Sequence, residues 1–125
     1  MKRILVSAGG VTAEADLLET PTAAAIWEAL PFEGEANTWG QEIYFEIPVT
    51  VAEEKASRQE VEIGDLGYWP VGKAFCIFFG PTPVSKGARP RAASPVNVFG
   101  RVIGDAKTFH KVREGSQVRV SRAEH

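Results

Sequence analysis

Cysteine is almost missing. Cys76 stands alone in 125 residues, which excludes an internal disulfide and a thiolate cluster for zinc or iron–sulfur. Histidine is scarce as well: His110 and His125 both fall in the final sixteen residues. A Ser–His or Cys–His pair would have to rely on His110, because a C-terminal residue is poorly held. Long apolar runs are missing too. The longest, Ala74 to Phe79, is far short of the roughly 20 residues that a helical span requires. Neither sign of charge dominates, with 14 basic against 16 acidic side chains and a net charge of −2. That balance makes no electrostatic case for nucleic acid or for an anionic membrane. There is no Gly-rich phosphate loop, no HExxH and no GxSxG, so the common catalytic fingerprints are absent. With only scattered acids available as ligands, neither a metal nor a cofactor is expected.

What is present describes a globular protein. Hydrophobic residues make up 44% and charged residues 24%, which excludes general disorder. The length fits one domain, residues 1–125, with a core that needs no staples. Met1-Lys2-Arg3 runs into a strand pattern rather than a signal peptide, so the expected setting is the cytoplasm. The charge is unevenly placed along the chain. Residues 1–65 carry four basic and thirteen acidic side chains, and residues 66–125 carry ten basic and three acidic. Either the two halves interleave and attract each other, or the surface is bipolar and steers a charged partner.

Gly and Pro punctuate the chain every ten residues or so, between short β-rich runs. That spacing belongs to a sandwich or barrel. Arg3 to Ala8 and Val11 to Leu17 read as a hairpin turned at Gly9-Gly10. Thr20 offers an N-cap with Pro21 at the first helical position, and Ala23, Ile26, Trp27 and Leu30 follow at helical spacing until Pro31. Gln41 to Val49 alternates clearly, with Ile43, Phe45 and Ile47 facing one way and Glu42, Tyr44 and Glu46 the other. Gln59 to Ile63 continues that pattern. Lys73 to Phe79 is apolar on both faces, as in a central or covered strand. Pro95 to Ile103 and Gln117 to Ser121 supply the last strands, with a short helical turn at Asp105 to Val112. These elements predict a mainly β fold: a small closed barrel of seven or eight strands with one or two short helices.

Four stretches carry candidate chemistry. Asn37-Thr38-Trp39-Gly40 reads as a turn, in which Trp39 either packs on the rim or walls a pocket with its indole N–H as donor. Two glycines and a proline mark Gly64 to Pro70 as a loop. There Tyr68 and Trp69 either fold back over the core or line a recognition groove, and Asp65 bonds amides of its own turn. Glu42 and Glu46 flank Tyr44 on an outward face. Paired carboxylates can divide acid and base work, but alternation puts these two in solvent. Asn97, Phe99 and Arg101 occupy alternate positions and are expected to share a face near Tyr44. Cys76, among Phe75, Ile77, Phe78 and Phe79 with no basic neighbour, reads as a buried structural thiol. Arg89-Pro90-Arg91 reads as a solvated loop tip, or else as a docking point for an acidic group.

The blocks Asn37-Thr38-Trp39-Gly40-Gln41-Glu42-Ile43-Tyr44-Phe45, Val61 to Pro70, Gly72 to Pro83 and Ser94 to Val102 closely resemble a small prokaryotic family of cyclophilin-like proteins. The resemblance covers nearly the whole chain. It implies a closed eight-stranded barrel of the cyclophilin type with a helix at its end. Prolyl isomerases of that fold use an Arg, a Gln, a pocket Phe and a His. By similarity Ala74 stands where the Gln belongs, Cys76 where the Phe belongs and Val96 where the His belongs. The stretch Ile43 to Val49, which resembles their Arg-bearing strand, contains no Arg.

The expected function is therefore a binding or interaction module with no catalytic residue. It would hold a peptide or small ligand in a groove lined by Trp39, Tyr44, Tyr68, Trp69, Asn97 and Arg101. Two alternatives stand beside it: a weak prolyl isomerase using Arg101 as a relocated cation, and a subunit of an enzyme complex.

Overall fold

The computed structural model describes residues 2–123; His125 lies outside them. The strands are β1 (Arg3–Ala8), β2 (Val11–Leu17), β3 (Phe32–Glu35), β4 (Asn37–Thr38), β5 (Glu42–Glu46), β6 (Arg58–Glu60), β7 (Asp65–Trp69), β8 (Ala74–Phe78), β9 (Arg91–Val102) and β10 (Gln117–Arg122). One α-helix, α1 (Pro21–Ala29), follows β2, and two short 3-10 segments cover Pro70–Gly72 and Ala106–Lys111. Local chemistry explains the helix ends. Thr20 Oγ1 accepts a hydrogen bond from Ala23 N–H at 3.0 Å, and Pro21 supplies a preset φ where no donor is needed. Asp105 does the same for the second 3-10 segment, accepting from Lys107 N–H at 3.0 Å.

All described strand pairings are antiparallel, in the order β3-β10-β1-β2-β9-β7-β8-β5-β4, with β6 added on β9. The expected closed eight-stranded barrel is replaced by this open ladder of ten strands. Among the described residues no backbone pairing joins its two ends. The reason is local: Ala36 alone separates β3 from β4, so the chain itself passes from one end of the ladder to the other. Side chains fill the gap between β3 and β5. The rings of Phe32 and Phe45 lie 6.2 Å apart, and Gly34 packs so closely on Phe45 that an added Cβ would sit 2.7 Å from its ring.

The main core is centred on Phe75, whose ring meets Phe45 at 5.3 Å and Phe99 at 5.1 Å. Burial of each such ring contributes about 1.5–3 kcal/mol. β8 is apolar on both faces because both are covered. Phe75 and Ile77 enter the main core, whereas Ala74, Cys76 and Phe78 form a second cluster with Val61, Ala92 and Val96. Tyr44, Trp69 and Val98 pack against that outer layer. Gly67, expected in a loop, lies inside strand β7 on this covered side. An added Cβ there would come within 2.9 Å of Val96 and 3.2 Å of Phe78, so the glycine marks close packing rather than a turn.

The uneven charge is resolved largely by interleaving. Arg89 reaches Glu60 and Glu62, Arg101 reaches Asp65, Arg119 reaches Glu33 and Arg122 reaches Glu28. Each of these pairs joins the basic second half to the acidic first half. No helix among the described residues is long and apolar enough to cross a membrane.

Candidate functional site

Three of the six expected groove residues meet around one cavity. It measures about 250 Å³ and is lined by Trp39, Glu42, Tyr44, Trp69, Ala92, Ala93 and Val96. The β4–β5 hairpin positions the first three. Asn37 pairs with Tyr44 and Thr38 with Ile43, and Trp39 N–H closes the turn on Glu42 C=O at 3.0 Å. Trp69 comes from the end of β7. It meets Tyr44 edge to face at 6.3 Å, and its indole N–H donates to Ser94 Oγ at 2.6 Å. Gly72 packs beneath its six-membered ring, where an added Cβ would approach to 2.7 Å. The indole is therefore held from two sides.

Glu42 corrects the expectation of a solvated carboxylate. Its register partner on β8 is Phe78, as Cys76 is Tyr44's, so both lie on the face that the second cluster covers. Glu42 is only 5% exposed. Among the described residues its Oε1 is the one buried side-chain oxygen or nitrogen with no hydrogen-bond partner. Burial pushes its carboxyl up to about 7, and hydrogen bonding from the Cys76 thiol offsets this only in part. Cys76 itself is buried, as expected, and is held well above its ordinary value by desolvation and by the charge of Glu42. A buried carboxyl oxygen lacking a partner costs stability. The same side chain is among those lining the cavity. The signal for it was the two-faced apolarity of β8, since a strand covered on its outer side implies a covered neighbour.

The remaining three expected residues are placed elsewhere. Tyr68 and Asn97 are fully buried and lie opposite each other across the β7–β9 pairing. Together they bind the irregular segment 47–57. Tyr68 Oη donates to Val49 C=O at 2.7 Å and accepts from Val51 N–H at 3.3 Å. Asn97 donates to Ala52 C=O at 3.0 Å and to Thr22 Oγ1 at 3.1 Å, while accepting from Glu54 N–H at 2.8 Å. Thr22 Oγ1 in turn donates to the Glu54 carboxylate. Backbone without a ladder still needs partners once it is buried, and these two side chains supply them.

Arg101 points away from Asn97 because β9 is bulged. Leu66 pairs with Gly100 but Gly67 with Val98, leaving Phe99 as the extra residue, and an extra residue reverses the facing of everything beyond it. Arg101 instead donates to Asp65 Oδ1 at 2.8 Å. Asp65, 1% exposed, also accepts from Glu62 N–H at 2.9 Å, as the turn reading expected, and is reached by Arg58 at 3.6 Å. Arg101 is not among the residues lining the cavity. Arg89 is engaged by Glu60 and Glu62. Gly64 to Pro70 is corrected from a loop to a strand, β7, with the turn before it and the start of the first 3-10 segment after it.

The family model described as cyclophilin-like matches residues 2–121. The fold and this match define the class: the chain belongs to the cyclophilin-like family. It is also similar to the hypothetical protein AF2241 from Archaeoglobus fulgidus, known from its solution structure. The two are 42% identical with a TM-score of 0.83, over 98% of this chain and 95% of that one. No curated protein matches.

Proposed function

We propose that the protein is a binding module whose ligand places one small, mostly apolar group in the cavity between Trp39, Tyr44 and Trp69. The observation that carries this reading is the combination of three aromatic side chains with a buried, unpartnered carboxyl oxygen on Glu42. Concave sites with apolar walls and a few convergent polar groups are the usual form of small-ligand pockets. At about 250 Å³ the cavity is smaller than the roughly 300–1,000 Å³ of drug-sized sites. It fits a ring or head group, carried by a peptide or by a small molecule, rather than a whole chain. The isomerase alternative needs a free cation near the bound group, and Arg101 is spent on Asp65.

The test is an NMR titration of isotope-labelled protein with a proline-containing tetrapeptide, N-methylacetamide, 2-propanol, acetate and dimethylammonium chloride. At least one probe is expected to move the indole N–H signals of Trp39 and Trp69 in a saturable way. Trp69→Ala and Tyr44→Ala should each abolish that response. If none of the five probes moves those two signals, the binding reading is wrong.

A further inference from the structure

The cavity walls and its one charged side chain agree on the sign of charge they accept. The faces of Trp and Tyr rings carry negative electrostatic potential and attract cations, most strongly where water is excluded. Glu42 supplies a carboxylate on the same cavity, and no Lys, Arg or His is among the lining residues. Ala92, Ala93 and Val96 close the remaining side with nothing that competes for a positive group. The unpartnered Oε1 adds a directional demand, since it lacks an N–H or O–H donor. A carboxylate oxygen buried with no donor is costly, and a charge-assisted hydrogen bond removes that cost.

We propose that the group held by Trp39, Glu42, Tyr44 and Trp69 is a small alkylammonium ion bearing at least one N–H, packed against the rings and hydrogen-bonded to Glu42 Oε1. This rests on the binding reading above and names its ligand class. A neutral amide or alcohol would satisfy Oε1 only by giving up the attraction of the rings for charge. A quaternary ammonium would satisfy the rings and leave Oε1 without a donor. The same head group could arrive as a free amine or at the end of an alkylated lysine side chain, and the probes below separate those sources.

The pH dependence has a definite direction. Burial pushes the Glu42 carboxyl up to about 7, whereas an alkylammonium keeps its proton to about pH 10. Among the described residues, the Tyr44 phenol lines the same cavity and the Cys76 thiol on β8 interacts with Glu42. Burial keeps the thiol neutral through this range. Affinity for the cation therefore rises with pH, by about thirtyfold between pH 5.5 and pH 8.5 if only the ionised site binds.

Calorimetry and NMR on the full-length protein test the proposal, with dimethylammonium, tetramethylammonium, 2-propanol and doubly blocked Nε,Nε-dimethyllysine as probes. Dimethylammonium is expected to move the Trp39 and Trp69 indole signals and to bind more tightly than either tetramethylammonium or neutral 2-propanol. Glu42→Gln, close to isosteric, should weaken it about tenfold to a hundredfold. Tighter binding of the blocked dimethyllysine than of dimethylammonium would assign the head group to a lysine side chain; equal binding would assign it to a free amine. The proposal is overturned if 2-propanol binds at those signals at least as tightly as dimethylammonium, or if cation affinity falls as pH rises. The first result would leave the cavity a binding site with Glu42 acting as a protonated donor to the alcohol, and the second would show that the carboxylate is not what holds the cation. Silence from these four probes would overturn the proposal, and silence from the tetrapeptide, N-methylacetamide and acetate as well would remove the binding reading itself. Should Glu42→Gln fail to fold, the wild-type pH profile and the probe series still separate these outcomes.

Discussion

Replacing Glu42 by Gln should stabilise the protein in a strongly pH-dependent way, and the size of the effect follows from burial. In the unfolded chain the carboxyl titrates near its ordinary 4.5, and in the folded protein near 7. A raised carboxylate pKa means that the folded state binds the proton more tightly. Its contribution to stability is full below about pH 4.5 and is lost as pH rises through about 7. At 1.36 kcal/mol per unit, the loss amounts to about 3 kcal/mol. Glutamine cannot ionise, so the variant lacks this slope. The assay is urea unfolding of both proteins at pH 4.5, 6, 7 and 8. The stability of Glu42→Gln relative to wild type should rise by about 3 kcal/mol across that series, with most of the change between pH 5 and pH 7. Other carboxylates titrate alike in both proteins and cancel in the difference. A difference that stays constant from pH 4.5 to pH 8 would show that Glu42 is solvated or paired in the folded protein and not buried beside the cavity.

Two further substitutions separate the cavity from residues that only hold the fold. Tyr68→Phe removes the hydroxyl that serves Val49 C=O and Val51 N–H and should cost about 1–3 kcal/mol in urea unfolding, with cavity ligands bound as in wild type. Arg101→Ala leaves Asp65 to Arg58 and the Glu62 amide. It should destabilise by about 1 kcal/mol, the paired guanidinium being half in solvent, and leave the Trp39 and Trp69 signals of any bound probe unshifted. A loss of probe binding in either variant would return that residue to the site.

The hairpin β1–β2, helix α1 and β10 were legible almost residue by residue, because alternation, the Gly9-Gly10 turn and the Thr20-Pro21 cap are written in neighbouring positions. Cys76 was legible as buried for the same reason, since its strand is apolar on both sides. Asp65 to Trp69 was not, because Gly67 usually signals a turn and serves here as the space that Val96 and Phe78 fill. Nor was the division of the six candidate residues. Trp39, Tyr44 and Trp69 do meet, but Tyr68 and Asn97 were already claimed by a segment with no ladder of its own. Arg101 was turned outward by a bulge that a strict two-residue period cannot contain.

By itself, then, the sequence determined the elements with short-range causes, the mainly β class, and the family through its long ordered blocks. Tertiary structure alone decided which faces are covered, where the ladder stays open and which side-chain oxygen is buried without a partner. Those outcomes depend on contacts between residues tens of positions apart, such as Glu42 with Phe78 or Asn97 with Ala52. Glu42 shows the difference most plainly. Its neighbours in sequence place it in water, and the layer formed by β8, β9 and the residues packed on them takes that water away.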